Sequence, residues 1–157
     1  MQRAIDSINA QFYPPKEIIA IDDGSTDGSM KLLSQLAVEN AIPIRTVRLD
    51  RNSGGPVVPM ETGIKLSGTP YIALLDQDDE MLPNRLVDQR CGLEMCKTAV
   101  ACIGFLEKIS DSGAVLDPGF LSDVEQRFDV FLDISSMFSL VFWIEIKREI
   151  TRLGMAV

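Results

Sequence analysis

The sequence contains no histidine, which removes the commonest general base and the commonest transition-metal ligand together. Any proton transfer falls to Asp, Glu, Lys, Tyr or Cys. Cysteine is scarce as well: Cys91, Cys96 and Cys102 are spaced too widely for a Cys-x-x-Cys zinc or redox pair and read as reduced structural thiols. Long apolar runs are missing. The longest, Ile134 to Ile144, is broken by serines, flanked by Asp133 and Glu145, and too short to cross a bilayer, so it reads as a core strand. The opening residues Met1 to Ile8 alternate polar with apolar and lack the apolar core of a secretion signal, so a cytoplasmic location is expected. Basic residues are outnumbered, 15 against 23 acidic, for a net charge of -8. That balance disfavours a nucleic acid polymer, whose phosphates need clustered Lys and Arg, but it is compatible with a small phosphorylated ligand bridged by a metal.

What is present is enough apolar material, 46% of 157 residues, to build the core of one domain. Helical spacing over Ala4 to Gln11 stops before Pro14-Pro15. A β-branched run, Glu17 to Ile21, predicts a buried strand; Asp22 to Ser29 is a turn-forming cluster, and helical periodicity resumes at Met30 with Thr26 or Asp27 as its N-cap. Ile44 to Leu49 reads as a strand, Asn52 to Pro56 as a loop, Val57 to Leu66 as a helix and Tyr71 to Leu75 as a strand. Pro83 to Cys96 reads as a helix and Ala99 to Lys108 as a strand. Asp111-Ser112-Gly113 makes a turn, and Ala114 to Asp133 a loop with a short helix. Met137 to Ile146 reads as a strand, and Lys147 to Leu153 as a helix ending at Gly154. The strand-helix alternation predicts βαβ units and a mainly parallel α/β sheet in a single domain over 1–157.

Two acidic loops carry the chemistry. Asp76-Gln77-Asp78-Asp79 follows the apolar run that ends at Leu75, where an open α/β sheet presents its ligand site. Carboxylates there suit Mg2+ or Mn2+ and a phosphate ester, because those hard cations share their oxygen ligands between Asp and phosphate. Asp22 and Asp23 end an earlier strand, where they could accept bonds from base or ribose donors, with Gly24 letting backbone come close. Short Asp and Gly clusters also simply make turns and helix caps. Neither loop has the ligand spacing of an EF-hand.

Taken in order, the segments Ile8 to Pro14, Glu17 to Ser29, Asn52 to Pro56, Gly63-Ile64 and Tyr71 to Asp79 resemble family 2 glycosyltransferases of the GT-A fold, over roughly Ala4 to Arg90. The resemblance implies a Rossmann-like, here incomplete, sheet that binds a nucleoside diphosphate sugar, and a metal-dependent, usually inverting transfer to a saccharide or lipid-linked acceptor. It implies that Asp23, with Asp22 beside it, contacts base or ribose. Asp76 and Asp78 match the family's Asp-x-Asp pair, Asp78 as metal ligand, with Asp79 a third acid of less defined role. It also implies a place near the inner face of the membrane.

The chain departs from the family pattern in three places. The pattern's opening strand, expected in mid-sheet, would precede Met1, leaving strand edges for a partner chain or a second copy to cover. Met60-Glu61 stands where the family often has Arg-Asn beside the pyrophosphate, which either weakens anion binding or is merely tolerated on a helix surface. The carboxylate base expected downstream has no counterpart before Val157; Asp117, Asp123 and Asp129 read as solvated or capping residues. Two functional expectations result: a glycosyltransferase-like domain, or a catalytically inactive nucleotide-sugar-binding or interaction module.

Overall fold

The computed structural model describes residues 1–96, 98–104, 107–110, 112–117 and 144–147, with backbone alone at 103, 117 and 144–147. The helix expected within 114–133, most of the strand expected over 137–146, the terminal helix, and Asp123 and Asp129 lie outside the described residues.

Helix α1 (Gln2–Asn9) buries Ala4, Ile5, Ser7 and Ile8 on one side. It starts two residues before the expected span and ends where the Gln11 amide turns back to the Ile8 carbonyl at 3.2 Å. Strand β1 (Ile18–Asp22), helix α2 (Ser29–Glu39) and strand β2 (Ile44–Arg48) form a βαβ unit, its strands paired in parallel from Ile18 with Ile44 to Asp22 with Arg48. The N-cap of α2 is Gly28, at φ 94°, and not Thr26 or Asp27. The chain needs a left-handed turn there, which glycine makes without a steric penalty. Asp27 instead accepts from the Ser29 amide at 3.0 Å and the Ser29 hydroxyl at 2.6 Å, bonds that hold its carboxyl below the usual value.

Helix α3 (Val57–Leu66) lies against β1 and has the expected bounds. Strand β3 (Tyr71–Ala73) is shorter than expected, and helix α4 (Arg85–Met95) begins two residues later, Pro83 and Asn84 forming the entry turn. Strand β4 is Ala101–Ile103; β5 (Lys108–Ile109) and β6 (Val115–Asp117) make an antiparallel hairpin whose turn uses Gly113 at φ 82°. Strand β7 (Ile144–Lys147) runs antiparallel between β3 and β4, which are therefore parallel to each other. The expectation of parallel strands thus holds for β1 with β2 and for β3 with β4, while β7 reverses direction. Among the described residues β1–β2 and β3–β7–β4 are separate ladders, so β1 and β3 each keep an unpaired edge. Ile18 to Ile21 are half-buried.

The core gathers Ile5 and Ile8 of α1, Leu36 of α2, Met81, and Leu86 of α4, with Ile18, Ile44, Ala73 and Leu75 packed against them. A polar line along α1 and the turn that follows it fixes this arrangement. Arg3 pairs with Glu80. The Ser7 hydroxyl donates to the Ala4 carbonyl at 2.7 Å and accepts from the Met81 amide at 3.0 Å. Gln11, 6% exposed, donates to the carbonyls of Ser7 at 3.1 Å and Leu82 at 2.8 Å and accepts from the Leu86 amide at 3.1 Å. Replacing Gln11 by Leu removes the acceptor of the buried Leu86 amide and one of the two donors on the Leu82 carbonyl, which keeps the Arg85 amide at 3.0 Å. Urea unfolding should show a loss of about 1–3 kcal/mol for Gln11→Leu, against less than about 0.5 kcal/mol for Gln2→Leu on the exposed face of α1.

Candidate functional site

Both acidic loops leave the carboxyl ends of strands, β1 for Asp22-Asp23 and β3 for Asp76 to Asp79, as an α/β ligand site requires. Asp22 is the more buried of its pair, its side chain 2% exposed. Its Oδ1 accepts from the Ser25 amide at 3.2 Å, and its Oδ2 lies 3.4 Å from the Nε of Arg48, its register partner on β2. Arg48 also donates to the Ser25 carbonyl at 2.8 Å, so Asp22 and Arg48 together brace the turn.

Asp23, half-buried, faces the loop between β2 and α3. It accepts from the Ser53 amide, 3.0 Å from Oδ1 and 3.1 Å from Oδ2, and from the Ser53 hydroxyl at 2.8 Å. The two loops meet at Gly24, φ 75°, where a Cβ would sit 2.7 Å from the Asn52 nitrogen and 3.0 Å from the Arg51 carbonyl carbon. The close approach that Gly24 permits is therefore to its neighbouring loop. Asn52 Oδ1 in turn accepts from the Gly54 amide at 2.8 Å.

The second acidic loop crowds like charges. Burial, and after it the charge of Asp78, pushes the Asp76 carboxyl above its ordinary value. Asp79 is raised by burial, then by Asp78 and Asp76, against an opposing pull from Arg85. Asp78 is exposed. Arg85, at the start of α4, donates through both terminal nitrogens to the Leu74 carbonyl at 3.2 Å, tying the helix to the strand end from which the acids depart. Among the described residues no group of three or more Cys, His, Asp or Glu side chains is arranged to hold a metal. The donor set fits Mg2+ or Mn2+ in another way, since these ions take one or two carboxylates and leave the remaining positions to water and phosphate.

Glu61 is half-buried on α3 and pairs with Lys65 one turn on, at 2.8 Å, which offsets the negative charge noted at that position. The backbone of Asp117 ends β6. Cys91, Cys96 and Cys102 are free thiols. No described helix is long and apolar enough to cross a membrane.

Residues 1–113 match the family profile described as glycosyl transferase family 2. The chain belongs to that family. It is 40% identical over 84 residues to a poly(ribitol-phosphate) beta-glucosyltransferase of Bacillus spizizenii, covering 50% of this chain and 13% of that protein. It is 29% identical over 140 residues to the succinoglycan biosynthesis protein ExoU of Rhizobium meliloti, covering 88% of this chain and 37% of that one. The crystal structure of S. aureus TarS 1-349 in complex with UDP superposes with a TM-score of 0.57 at 22% identity, over 73% of this chain and 33% of that one, and shows the GT-A-like fold. The family 2 chain thus spans well under half the length of these relatives.

The sequence placed the two acidic loops at strand ends; it missed Ser53, Gln11, Ser7 and Arg85. The Asn52 to Pro56 motif drew attention to the loop, but nothing local tells a serine that caps its own turn from one that holds an acid thirty residues away.

Two expectations follow. Any side chain at Gly24 meets both a positive φ and a backbone neighbour, whereas Gly54, φ 85°, faces open space. Gly54→Ala should cost about 1–2 kcal/mol and Gly24→Ala clearly more in thermal unfolding. For Asp79, a raised carboxyl means the folded state holds its proton more tightly than the unfolded state. The cost of ionising it is absent below the unfolded value of 3.8 and grows as pH rises through the raised one. Asp79→Asn should therefore stabilise the chelator-treated protein at about pH 7 and leave it unchanged near about pH 3, as read by urea midpoints.

Proposed function

We propose that this chain is the donor-binding part of a glycosyltransferase, which holds a nucleoside diphosphate sugar with Mg2+ or Mn2+ for transfer of the glycosyl group to an acceptor. The observation that carries this reading is the placement of two acid-bearing loops at the carboxyl ends of β1 and β3 in a family 2 chain.

In this reading Asp23 accepts a hydrogen bond from base or ribose, while Asp22 acts from beneath by bracing the turn with Arg48. Asp76 sits at the ribose side of the diphosphate and Asp78, the exposed acid, is the metal ligand. A divalent cation held there would neutralise the diphosphate and stabilise it as it leaves. The chain's own contribution is geometry: α1 and Gln11 after it fix residues 80–86 and Arg85 fixes Leu74, so the acids between them emerge from two anchored points. The glycine-rich loop at 53–55 closes the nucleotide side. The relatives named for poly(ribitol-phosphate) and succinoglycan biosynthesis support a polymeric acceptor.

Calorimetric titration with UDP-, dTDP- and GDP-sugars, with and without Mn2+, tests the reading. Metal-dependent binding that falls by about tenfold or more in Asp78→Ala and is unchanged in Asp117→Ala is expected. Absence of binding by every nucleotide sugar at all metal concentrations would sink it.

A further inference from the structure

We infer that Asn52 is a site of spontaneous deamidation and that Asp23 sets its rate: the carboxylate stands in the direction along which the reacting ring must close, so Asn52 converts only as fast as the contact between Asp23 and Ser53 opens. The inference is independent of the donor-site reading.

In this reaction the backbone nitrogen of the residue after asparagine gives its proton to solvent base and attacks the side-chain amide carbon. A bond forms between that nitrogen and Cγ, the Cγ–Nδ2 bond breaks, and the side-chain nitrogen takes up a proton and leaves as ammonia. Water then opens the five-membered imide at either carbonyl, giving aspartate or isoaspartate. The sum is an amide and water converted to an acid and ammonia, with no oxidant or cofactor. In the imide the nitrogen is planar, and Cγ occupies the position its hydrogen held.

Asn52 has the setting that the reaction needs. Residues 51–56 are all exposed, the next residue is the small Ser53, and Gly54-Gly55 leaves the following chain free of bulk. The other asparagines are placed differently. Asn9 closes α1, and the Ala10 amide after it donates to the Asp6 carbonyl at 3.0 Å. Asn40 ends α2, its carboxamide accepting from Asn9 at 2.6 Å and donating to the Ile42 carbonyl at 2.8 Å. Asn84 precedes the bulky Arg85, whose amide donates to the Leu82 carbonyl at 3.0 Å.

At Asn52 the restraint is a charge. The Ser53 N–H points at Asp23, its nitrogen 3.0 Å from Oδ1 and 3.1 Å from Oδ2. Asn52 Cγ must take that same direction. The carboxylate does not serve as the base instead, because it is far too weak to keep a proton drawn from a backbone amide, and an amide anion beside it would meet like charge. A second bond, from the Gly54 amide to Asn52 Oδ1 at 2.8 Å, holds the side chain where it lies. The loop must therefore open locally before the ring closes. Isoaspartate then routes the backbone through the former side chain and lengthens it by a carbon. Ser53 is carried out of register with Asp23, while the Asn52 nitrogen stays packed against Gly24. The first conversion is one-way.

The test follows deamidation at mildly alkaline pH in the native chain, in the chain unfolded in guanidinium, and in native Asp23→Ala and Gln11→Leu, each variant checked for folding by circular dichroism. Trypsin cuts after Arg51 and Lys65, so residues 52–65 carry Asn52 as their one asparagine. The mass of that peptide reports the amide-to-acid exchange, and isomerisation at Asp-Gly pairs leaves mass unchanged. Native Asn52 should convert at least about tenfold slower than in the unfolded chain, and Asp23→Ala should speed it by about tenfold, the worth of bonds to a charged acceptor. Gln11→Leu weakens the fold elsewhere and should stay within about twofold of the wild type. Equal rates in the native and unfolded chains, no conversion at Asn52 in the unfolded chain, or no acceleration in Asp23→Ala overturns the inference. So does a Gln11→Leu rate as high as that of Asp23→Ala, which would make global unfolding the controlling step.

Discussion

One line of polar side chains, Arg3 and Ser7 on α1 and Gln11 just past its end, holds the segment that leaves the second acidic loop. They meet in succession Glu80, the Met81 amide, and the Leu82 and Leu86 backbone. The apolar residues beside them, Ile5 and Ile8, enter the same core as Met81 and Leu86. Burial and hydrogen bonding therefore favour the same placement, and a shift of α1 would break both at once. Gln11 uses its two amide hydrogens and its oxygen on three backbone groups, which makes it a rigid connector and not a surface polar residue that happened to be covered. Because Arg85 also grips the Leu74 carbonyl, the acids from Asp76 to Asp79 span two fixed points.

That rigidity matters for charge. Asp76, Asp78 and Asp79 repel one another, and partial burial of Asp76 and Asp79 adds to the cost of ionisation. A free loop would relax by spreading the carboxylates into water. Anchored at both sides, this one keeps the unfavourable field, which a divalent cation would relieve in the proposed donor site. Asp22 is the contrasting case: it is more buried than any of the three, but Arg48 opposite it and the Ser25 amide supply compensation.

Elements whose signal is local were legible in the sequence. The β-branched run at Ile18 to Ile21 and the helical run of α3 were read to within a residue, because a period of two or of 3.6 is written in neighbouring positions. The acidic loops were legible as loops at the ends of apolar runs, where the structure has them after β1 and β3. What could not be read depends on partners far along the chain. Ser7 and Gln11 look like ordinary polar residues of a surface helix until residues 81–86 are brought onto them, and Asp22 looks exposed beside Asp23 until β2 supplies Arg48. The N-cap of α2 was misplaced for a different reason: Thr26 and Asp27 have the right chemistry, but the backbone reverses hand at Gly28 and the cap follows geometry. The reversed strand β7 follows from pairing between segments some seventy residues apart, which no local pattern encodes.

The contact between Gly24 and Asn52, with the Asp23 to Ser53 bonds beside it, has a consequence for anyone who would redesign or recombine such domains. Residues 22–28 and 51–55 come from different βα connections, so a crossover between parental genes anywhere from 29 to 50 separates them. A chimera that takes one loop from each parent inherits two surfaces shaped for other counterparts. The unit of exchange is the pair, carried with the intervening α2 and β2 or left in place.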